Sequence, residues 1–239
     1  MPLITLSEQI SFIPATRNPF SCDVVFINGK KNKWIFDCGT TEEIAKQINA
    51  IHSQKEIQKK LQNETQLQPF DVNIVISHFH PDHILNLAKI SYDNLYVSKY
   101  TKRYTFRGTV VDSPFFADDF LADSEENEKN RIIIYNLPSS HAKGSLCLSV
   151  GDYTFMGDGT YAKELIGNHY YNAQLLKEMI DFMETLDTKY FCLSHDKNFI
   201  QNKDTVIELY KEIYRRKKDN NPKISVEDFF NADGSVKEQ

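Results

Sequence analysis

Four residues of metal-ligand type, His78, His80, Asp82 and His83, lie within six positions and constrain this 239-residue chain more than any other feature. They follow a nearly continuous apolar run, Val72–Ile76, which is typical of a buried strand. In an extended segment, side chains two residues apart point the same way, so His78 and His80 can share one metal ion. Asp82 and His83 come where the chain turns into the next predicted helix, so they are available to a second ion.

Three further residues of metal-ligand type, His141, Asp158 and His195, each follow a predicted strand. Loops at one edge of a sheet are where a rigid scaffold usually holds its chemistry. Imidazole nitrogen and carboxylate oxygen are ligands that divalent zinc accepts, so these residues are candidate metal ligands as well. The preceding strands are, in the same order, Arg131–Leu137, Tyr153–Met156 and Tyr190–Leu193.

Taken one at a time, some of these residues have ordinary structural explanations. Asp82 is a candidate N-cap for a predicted helix over His83–Ile90, and Asp158-Gly159 is a candidate turn. Three histidines and one aspartate within six residues, however, have no structural purpose that simpler residues would not serve. The spacing and the three downstream partners together favour metal binding.

The hydrophobic pattern predicts a single α/β domain over residues 1–239, with a polar tail from about 219. Helices are predicted after Thr41, over about Lys163–Leu186 and over about Lys203–Lys218, and His52 and His169 fall in helices as surface or packing residues. The remaining predicted strands are Ile4–Pro14, Asp23–Asn28, Lys33–Asp37, Asn94–Lys99 and Ser145–Val150, the last forming a hairpin with Tyr153–Met156.

The segment between Tyr100 and Asn130 is irregular and rich in aromatic residues. A connection this long inside a compact domain is usually functional or disordered. We expect its first part, Tyr100–Phe120, to cover a partly apolar or ring-bearing substrate. Its aromatic residues are Tyr104, Phe106, Phe115, Phe116 and Phe120.

Composition narrows the classes of partner. The chain is 41% hydrophobic and 26% charged, with a net charge of −5, which does not favour nucleic acid. No signal peptide and no membrane-spanning run are evident, so we expect a cytoplasmic protein with a small-molecule substrate. A homodimer is left open. The four cysteines lie far apart without a C-x-x-C pair, which argues against a disulfide framework and a cysteine-only zinc site.

These motifs resemble those of the metallo-β-lactamase superfamily. Its H-x-H-x-D-H motif is matched at residues 78–83, and its next histidine by His141 within SHAKGS. Its bridging aspartate is matched by Asp158 within MGDG, and its last histidine by His195 within LSHD. The early strand that ends in D-x-G is matched by Asp37 within DCG. The matches occur in the family's order, which makes the motif set specific.

The sequence departs from the family's usual residues at two predicted turns. Ser139-Ser140 stands where the family usually has Pro-Gly before the third histidine, and Ser194 stands where it often has Gly before the last. These changes affect local turn geometry more than the identity of the ligands.

The resemblance implies an αββα four-layer sandwich, in which two mixed sheets pack face to face with helices outside. It also implies two divalent metal ions, zinc in the first place, with iron or manganese as alternatives. Asp37 is then a candidate to orient a metal-binding histidine through its far ring nitrogen. The implied ligands are His78, His80 and His141 for one ion, Asp82, His83 and His195 for the other, and Asp158 bridging them with a water or hydroxide.

Residues 158–161, DGTY, resemble the D-x-x-Y segment of the N-acyl-homoserine lactonases in this superfamily. There the tyrosine hydroxyl contacts the substrate oxygen beside the metals. Tyr161 is therefore a candidate donor to an oxyanion, and packing at the start of a helix is the alternative. We take Asp82, Asp158 and Tyr161 as the candidate catalytic residues.

The implied function is a metallo-β-lactamase-fold hydrolase that uses a hydroxide bridging two metal ions to cleave a small ester, lactone, thioester or phosphodiester. Asp158 stands where one main subclass of β-lactamases has a cysteine ligand, and His80 stands where flavodiiron proteins have a glutamate. Both differences argue against those two activities. The alternatives are a mononuclear iron sulfur (persulfide) dioxygenase of the same fold and a non-catalytic binding protein stabilised by metal.

Overall fold

A computed structural model describes residues 2–61, 69–104, 115–116, 120–123 and 131–227 of the chain. Within these residues, two mixed β-sheets pack face to face, and helices cover the outer face of each sheet. The αββα sandwich implied by the sequence motifs is therefore confirmed.

The first sheet has seven strands and changes from antiparallel to parallel in its middle. The pairings that come before Lys33–Phe36 are antiparallel, and those that come after it are parallel. Parallel strands end at the same edge of a sheet, so the residues that follow them come together there. In spatial order the strands are Ile4–Thr5, Ile10–Ile13, Val24–Asn28, Lys33–Phe36, Val72–Val75, Asn94–Val97 and Phe115–Phe116.

The second sheet has six strands, and one of its pairings is parallel. The parallel pair is Tyr153–Gly157 with Tyr190–Leu193, so the residues after these two strands also meet at one edge. The predicted hairpin between Ser145–Val150 and Tyr153–Gly157 is confirmed. In spatial order the strands are Phe120–Asp123, Ile132–Leu137, Ser145–Val150, Tyr153–Gly157, Tyr190–Leu193 and Ile200–Asn202.

Strands of the first sheet are apolar on both faces because both faces are covered. Along Val24–Asn28, Val24 and Phe26 join the core beneath the first long helix. Val25 and Ile27 point the other way and join the core between the two sheets. This alternation follows from the two-residue period of a strand, and it explains why the run lacks a polar side.

Helices form the outer layers. Glu42–Leu61 covers the first sheet, while Ala173–Thr185 and Lys203–Arg215 cover the second. No helix in the described part of the chain is both long enough and apolar enough to cross a membrane. The shorter helices are Pro81–Ile84, Leu85–Lys89 (a 3₁₀-helix) and Lys99–Tyr104. Two small sheets complete the structure: Lys163–Leu165, Asn168–Asn172 and Lys223–Ser225 form one, and Thr16–Arg17 and Phe20–Ser21 form the other.

The helix predicted over Lys163–Leu186 is wrong in its first ten residues. A β-hairpin occupies them and turns at Ile166 and Gly167, both of which have positive φ. The helix begins only at Ala173, where the Asn172 side chain accepts a hydrogen bond from the Leu175 N–H at 3.0 Å and caps it. The turn at Ile166 and Gly167 and the Asn172 cap therefore determine where the helix begins, although the apolar residues before Ala173 have helical spacing.

The prediction that His169 lies in a helix is also wrong. His169 lies on the strand Asn168–Asn172, where its side chain is half exposed and 3.8 Å from Glu164. The predicted polar tail also contains a strand, Lys223–Ser225, which pairs with Asn168–Asn172. His52 lies in the helix Glu42–Leu61, as predicted.

Two smaller differences concern the central motif and the last helix. The helix predicted over His83–Ile90 is divided into Pro81–Ile84 and the 3₁₀-helix Leu85–Lys89, and the final helix ends at Arg215. Asp82 lies inside the first of these and is not its N-cap.

The side chains of the predicted aromatic cover lie outside the described residues: Tyr104, Phe106, Phe115, Phe116 and Phe120.

Candidate metal centre

Seven side chains from four segments meet where strands of the two sheets end. Asp158 belongs to two groups of ligand-type atoms, and the atoms of each group lie within 4.8 Å of one another. The structure therefore brings together all seven predicted ligands. The first group is His78, His80, His141 and Asp158, and the second is Asp82, His83, Asp158 and His195.

The first group consists of three imidazoles around one carboxylate oxygen. His80 Nδ1 lies 2.8 Å from His78 Nε2 and 3.0 Å from His141 Nε2. Asp158 Oδ2 lies 3.4 Å from His141 Nε2 and 3.9 Å from His78 Nε2. One nitrogen from each ring therefore faces a common point beside Asp158 Oδ2.

The second group uses the other oxygen of the same aspartate. Asp158 Oδ1 lies 3.3 Å from His83 Nε2 and 3.7 Å from His195 Nε2. Asp82 Oδ2 lies 2.9 Å from His195 Nε2 and 3.2 Å from His83 Nε2. Each carboxylate oxygen of Asp158 thus serves one group, which is the geometry of a bridging ligand.

Two buried atoms at the junction, His83 Nε2 and Asp158 Oδ1, lie 3.3 Å apart, yet neither makes a hydrogen bond of good geometry with a described residue. A buried polar atom without a partner is costly, and few are found in folded proteins. A divalent cation between them would satisfy both at once. The residues present therefore fit a site for two metal ions.

The protonation states of His78, His80, His141 and Asp158 suit metal ligation. Burial, together with the neighbouring His83 and His80, holds the pKa of His78 well below its ordinary value, so its imidazole is neutral and has a free lone pair. Burial also lowers the pKa of His80 and of His141. For Asp158, burial raises the pKa, but the surrounding histidines outweigh that effect and lower it, so the group is a carboxylate at neutral pH.

Asp37 lies behind His83, against the ring nitrogen that faces away from the cluster. One oxygen of its buried carboxylate lies 2.8 Å from His83 Nδ1, and it accepts the Ser77 hydroxyl at 2.8 Å. The other oxygen accepts the Ser77 N–H at 2.7 Å. These contacts fix the ring so that Nε2 faces the cluster.

Gly157 has a φ of 54°, and a Cβ there would lie 2.7 Å from Ser77, so no larger residue fits before Asp158.

Asp23 is a functional candidate that sequence reasoning did not identify. Its carboxylate is buried and accepts the His195 N–H at 2.9 Å, the Ser194 hydroxyl at 3.3 Å and the Ala15 N–H at 3.0 Å. His195 has a φ of 62°, which is uncommon outside glycine, and these bonds hold it there. The sequence feature that could have identified Asp23 is its position, as a charged residue at the start of an apolar strand.

Tyr161 lies in the segment after Asp158 and not at the start of a helix. Its hydroxyl donates to the backbone carbonyl of Ser194 at 2.5 Å, and its ring centre is 6.4 Å from that of His141. Burial raises the pKa of Tyr161 well above its ordinary value, so the phenol stays protonated and acts as a donor. Its predicted catalytic role stays a prediction.

The family model described as the metallo-β-lactamase superfamily matches residues 17–195, three quarters of the chain. The chain belongs to the metallo-β-lactamase superfamily. The matched range holds all seven candidate ligands together with Asp23 and Asp37. No curated protein matches the sequence.

Similar solved structures include members with different chemistry. One is a B3 metallo-β-lactamase with an active-site glutamic acid, with a TM-score of 0.59 at 11% identity, covering 90% of this chain and 88% of that one. A chemotaxis sensor, ODP, in a peroxy diiron form has a TM-score of 0.57 at 13% identity, covering 91% and 96%.

A third is the flavodiiron protein from Giardia intestinalis, with a TM-score of 0.58 at 11% identity. The match covers 89% of this chain but only 59% of the flavodiiron protein, so the chain spans about three fifths of that protein's length. At these identities the likeness extends to the fold alone. The metallo-β-lactamase fold therefore does not identify the reaction, which depends on the residues of the site.

Proposed function

We propose that this chain is a metal-dependent hydrolase that cleaves a small ester, lactone, thioester or phosphodiester. The observation that carries the proposal is the position of Asp158, whose two carboxylate oxygens face two separate groups of ligand-type atoms. Two divalent ions, zinc in the first place, would be held there. Bound side by side, such ions polarise a carbonyl or phosphoryl oxygen and lower the pKa of a water towards ~7.

The protein's own residues would orient the site and the attacking water. Asp82 and Asp158 are both carboxylates at neutral pH, because neighbouring histidines lower each pKa against the effect of burial. Each stays charged at neutral pH and can accept a hydrogen bond from an attacking water. Asp37 keeps the His83 ring in place throughout.

We assign Tyr161 as a donor to the substrate oxygen that becomes negative in the transition state. Its raised pKa keeps the phenol protonated, which a donor requires. In the structure the hydroxyl is bonded to the Ser194 carbonyl, so a substrate would have to replace that acceptor. The Tyr161 variant described in the Discussion tests this exchange.

The sulfur dioxygenase alternative requires a single iron, whereas the ligand atoms form two complete groups that share Asp158. A binding protein that keeps a metal only for stability would not need the second group. Elemental analysis of purified protein, followed by a panel of lactone, thioester, ester and phosphodiester substrates, decides among the three. One iron per chain with no hydrolysis would refute the proposal.

We also propose that the reaction takes place in the cytoplasm and that the substrate is a small molecule.

A further inference from the structure

A cavity of about 500 Å³ lies directly beside the candidate metal centre. It is lined by one face of the helix Lys203–Arg215 and by residues of the hairpin that replaced the predicted helix. His141, a ligand of the first group, and Tyr161 are among its lining residues, so the cavity borders that group. A cavity of this volume is typical of small-molecule sites.

The walls are mainly apolar and aromatic. The helix contributes Val206, Leu209 and Ile213, spaced so that they lie on one face, and Val206 and Ile213 are only 1% exposed. Leu193 and Val226 contribute from other segments. Three tyrosines also line the cavity: Tyr161, Tyr171 and Tyr210.

The charges along the cavity are unsuited to an anion. No lysine or arginine is among the described residues that line it, whereas two carboxylates, Glu164 and Asp196, are. Glu164 is exposed and lies 3.8 Å from His169, so this pair marks the solvent end. An anionic group inside would face these carboxylates with no lysine or arginine among the described lining residues to offset them.

A second cavity, of about 900 Å³, shares Asp196 with the first but is lined by different charges. Arg17 and Lys197 line it beside Asp23 and the candidate ligand His195, and Thr205 contributes from the same helix that lines the apolar cavity. The two cavities therefore differ in charge while sharing one helix. That arrangement provides a matched control for mutagenesis.

We infer that the 500 Å³ cavity binds an uncharged apolar part of the substrate, an alkyl chain or an aromatic ring, while the reacting group lies at His141 and Asp158. The inference rests on the proposed function and narrows it. Among the proposed substrates, it selects carboxylic esters, lactones or thioesters with a long acyl or aryl group over short-chain ones.

Calorimetric titration of the metal-loaded protein with octan-1-ol and with butan-1-ol tests the cavity without any turnover. Since burial of each methylene is favourable, we expect octan-1-ol to bind at least roughly tenfold more tightly than butan-1-ol. Leu209→Trp would fill the cavity and should weaken octan-1-ol binding at least roughly tenfold, and Thr205→Trp should leave it within about twofold. Val226→Trp fills the cavity from the opposite wall, in case Leu209→Trp fails to fold.

The same variants are then assayed on p-nitrophenyl octanoate and acetate. We expect the ratio of kcat/KM for the two esters to favour octanoate and to fall in Leu209→Trp and Val226→Trp only. Equal binding of the two alcohols, or an equal loss in Thr205→Trp, would overturn the inference about the cavity. Hydrolysis without chain-length preference would also overturn it and leave the proposed function standing. Octan-1-ol binding without hydrolysis of any ester, lactone, thioester or phosphodiester would support the cavity and refute the proposed function.

Discussion

The Asp23 carboxylate accepts a hydrogen bond from the backbone N–H of His195 at 2.9 Å, although Asp23 precedes a strand of the first sheet and His195 follows a strand of the second. The same carboxylate is held by the Ala15 N–H and the Ser194 hydroxyl. It also supports the left-handed backbone of His195, which is strained for a residue with a side chain. The second ligand group therefore depends on a contact between the two sheets.

Asp23→Ala should weaken metal binding at the second group much more than at the first. The substitution leaves two N–H groups without an acceptor and releases His195, and losses of supporting partners typically reduce metal affinity ~10–100-fold. We expect the variant to retain one tightly bound metal ion and to release the other during dialysis. Asp23→Asn keeps an acceptor oxygen and should restore part of the affinity. The measurement is metal content per chain after graded chelation.

Asp93→Ala is the matched control for lost stability. Asp93 accepts the Val72 N–H at 2.8 Å and pairs with Lys55, at the opposite end of the sheet from the metal centre. Its loss should lower thermal stability while both metal ions remain bound. If Asp23→Ala and Asp93→Ala retained metal equally well, Asp23 would be a stabilising residue with no role in positioning His195.

Asp158→Ala should damage activity more than Asp37→Ala. The first substitution removes the oxygens that face both ligand groups, whereas the second removes only the support behind His83. We expect Asp37→Ala to lose ~10–100-fold in activity and Asp158→Ala to lose more, together with metal. Steady-state kinetics and metal content are measured on the same preparations. Equal kinetic losses with equal loss of metal would contradict this ranking.

Tyr161→Phe should lower turnover roughly tenfold, because one donor to the developing negative charge is lost while the metals still polarise the same oxygen. Metal content should not change. Two other results are informative. A variant with full turnover would make Tyr161 a packing residue, and one that loses metal would show that its bond to the Ser194 carbonyl serves to position the loop of His195.

Removal of metal should lower the melting temperature as well as abolish activity. The seven ligands come from segments of both sheets, and binding that favours only the folded state stabilises it. Differential scanning calorimetry before and after complete chelation measures the effect. A melting temperature unchanged by chelation would argue against ions shared among these segments.

The ligands could be predicted from the sequence because their signals are local. Four of them lie in one short motif, and His141, Asp158 and His195 each follow a run with clear strand character. Parallel strands that end at one edge then bring these residues together. The αββα layers followed from the resemblance of these motifs to a family and not from periodicity.

Features that depend on distant contacts or on turns were missed. Asp23 has a role only because Ser194 and His195 meet it across the sheet interface, 171 and 172 positions away. The hairpin of Lys163–Leu165 and Asn168–Asn172 was mistaken for a helix because the apolar spacing around it fits both structures, and the turn at Ile166 and Gly167 decides between them. The apolar cavity was missed for the same reason, since that hairpin forms part of its wall.

The measurement that tests the central claim most directly is the number of metal ions bound per chain. Inductively coupled plasma mass spectrometry of purified protein should give two divalent ions per chain, and no more than one in Asp158→Ala, because Asp158 is the one described residue that belongs to both ligand groups. Protein concentration is determined independently by amino-acid analysis. One ion per chain in the unaltered protein, or two that persist in Asp158→Ala, would contradict a site built on a shared aspartate.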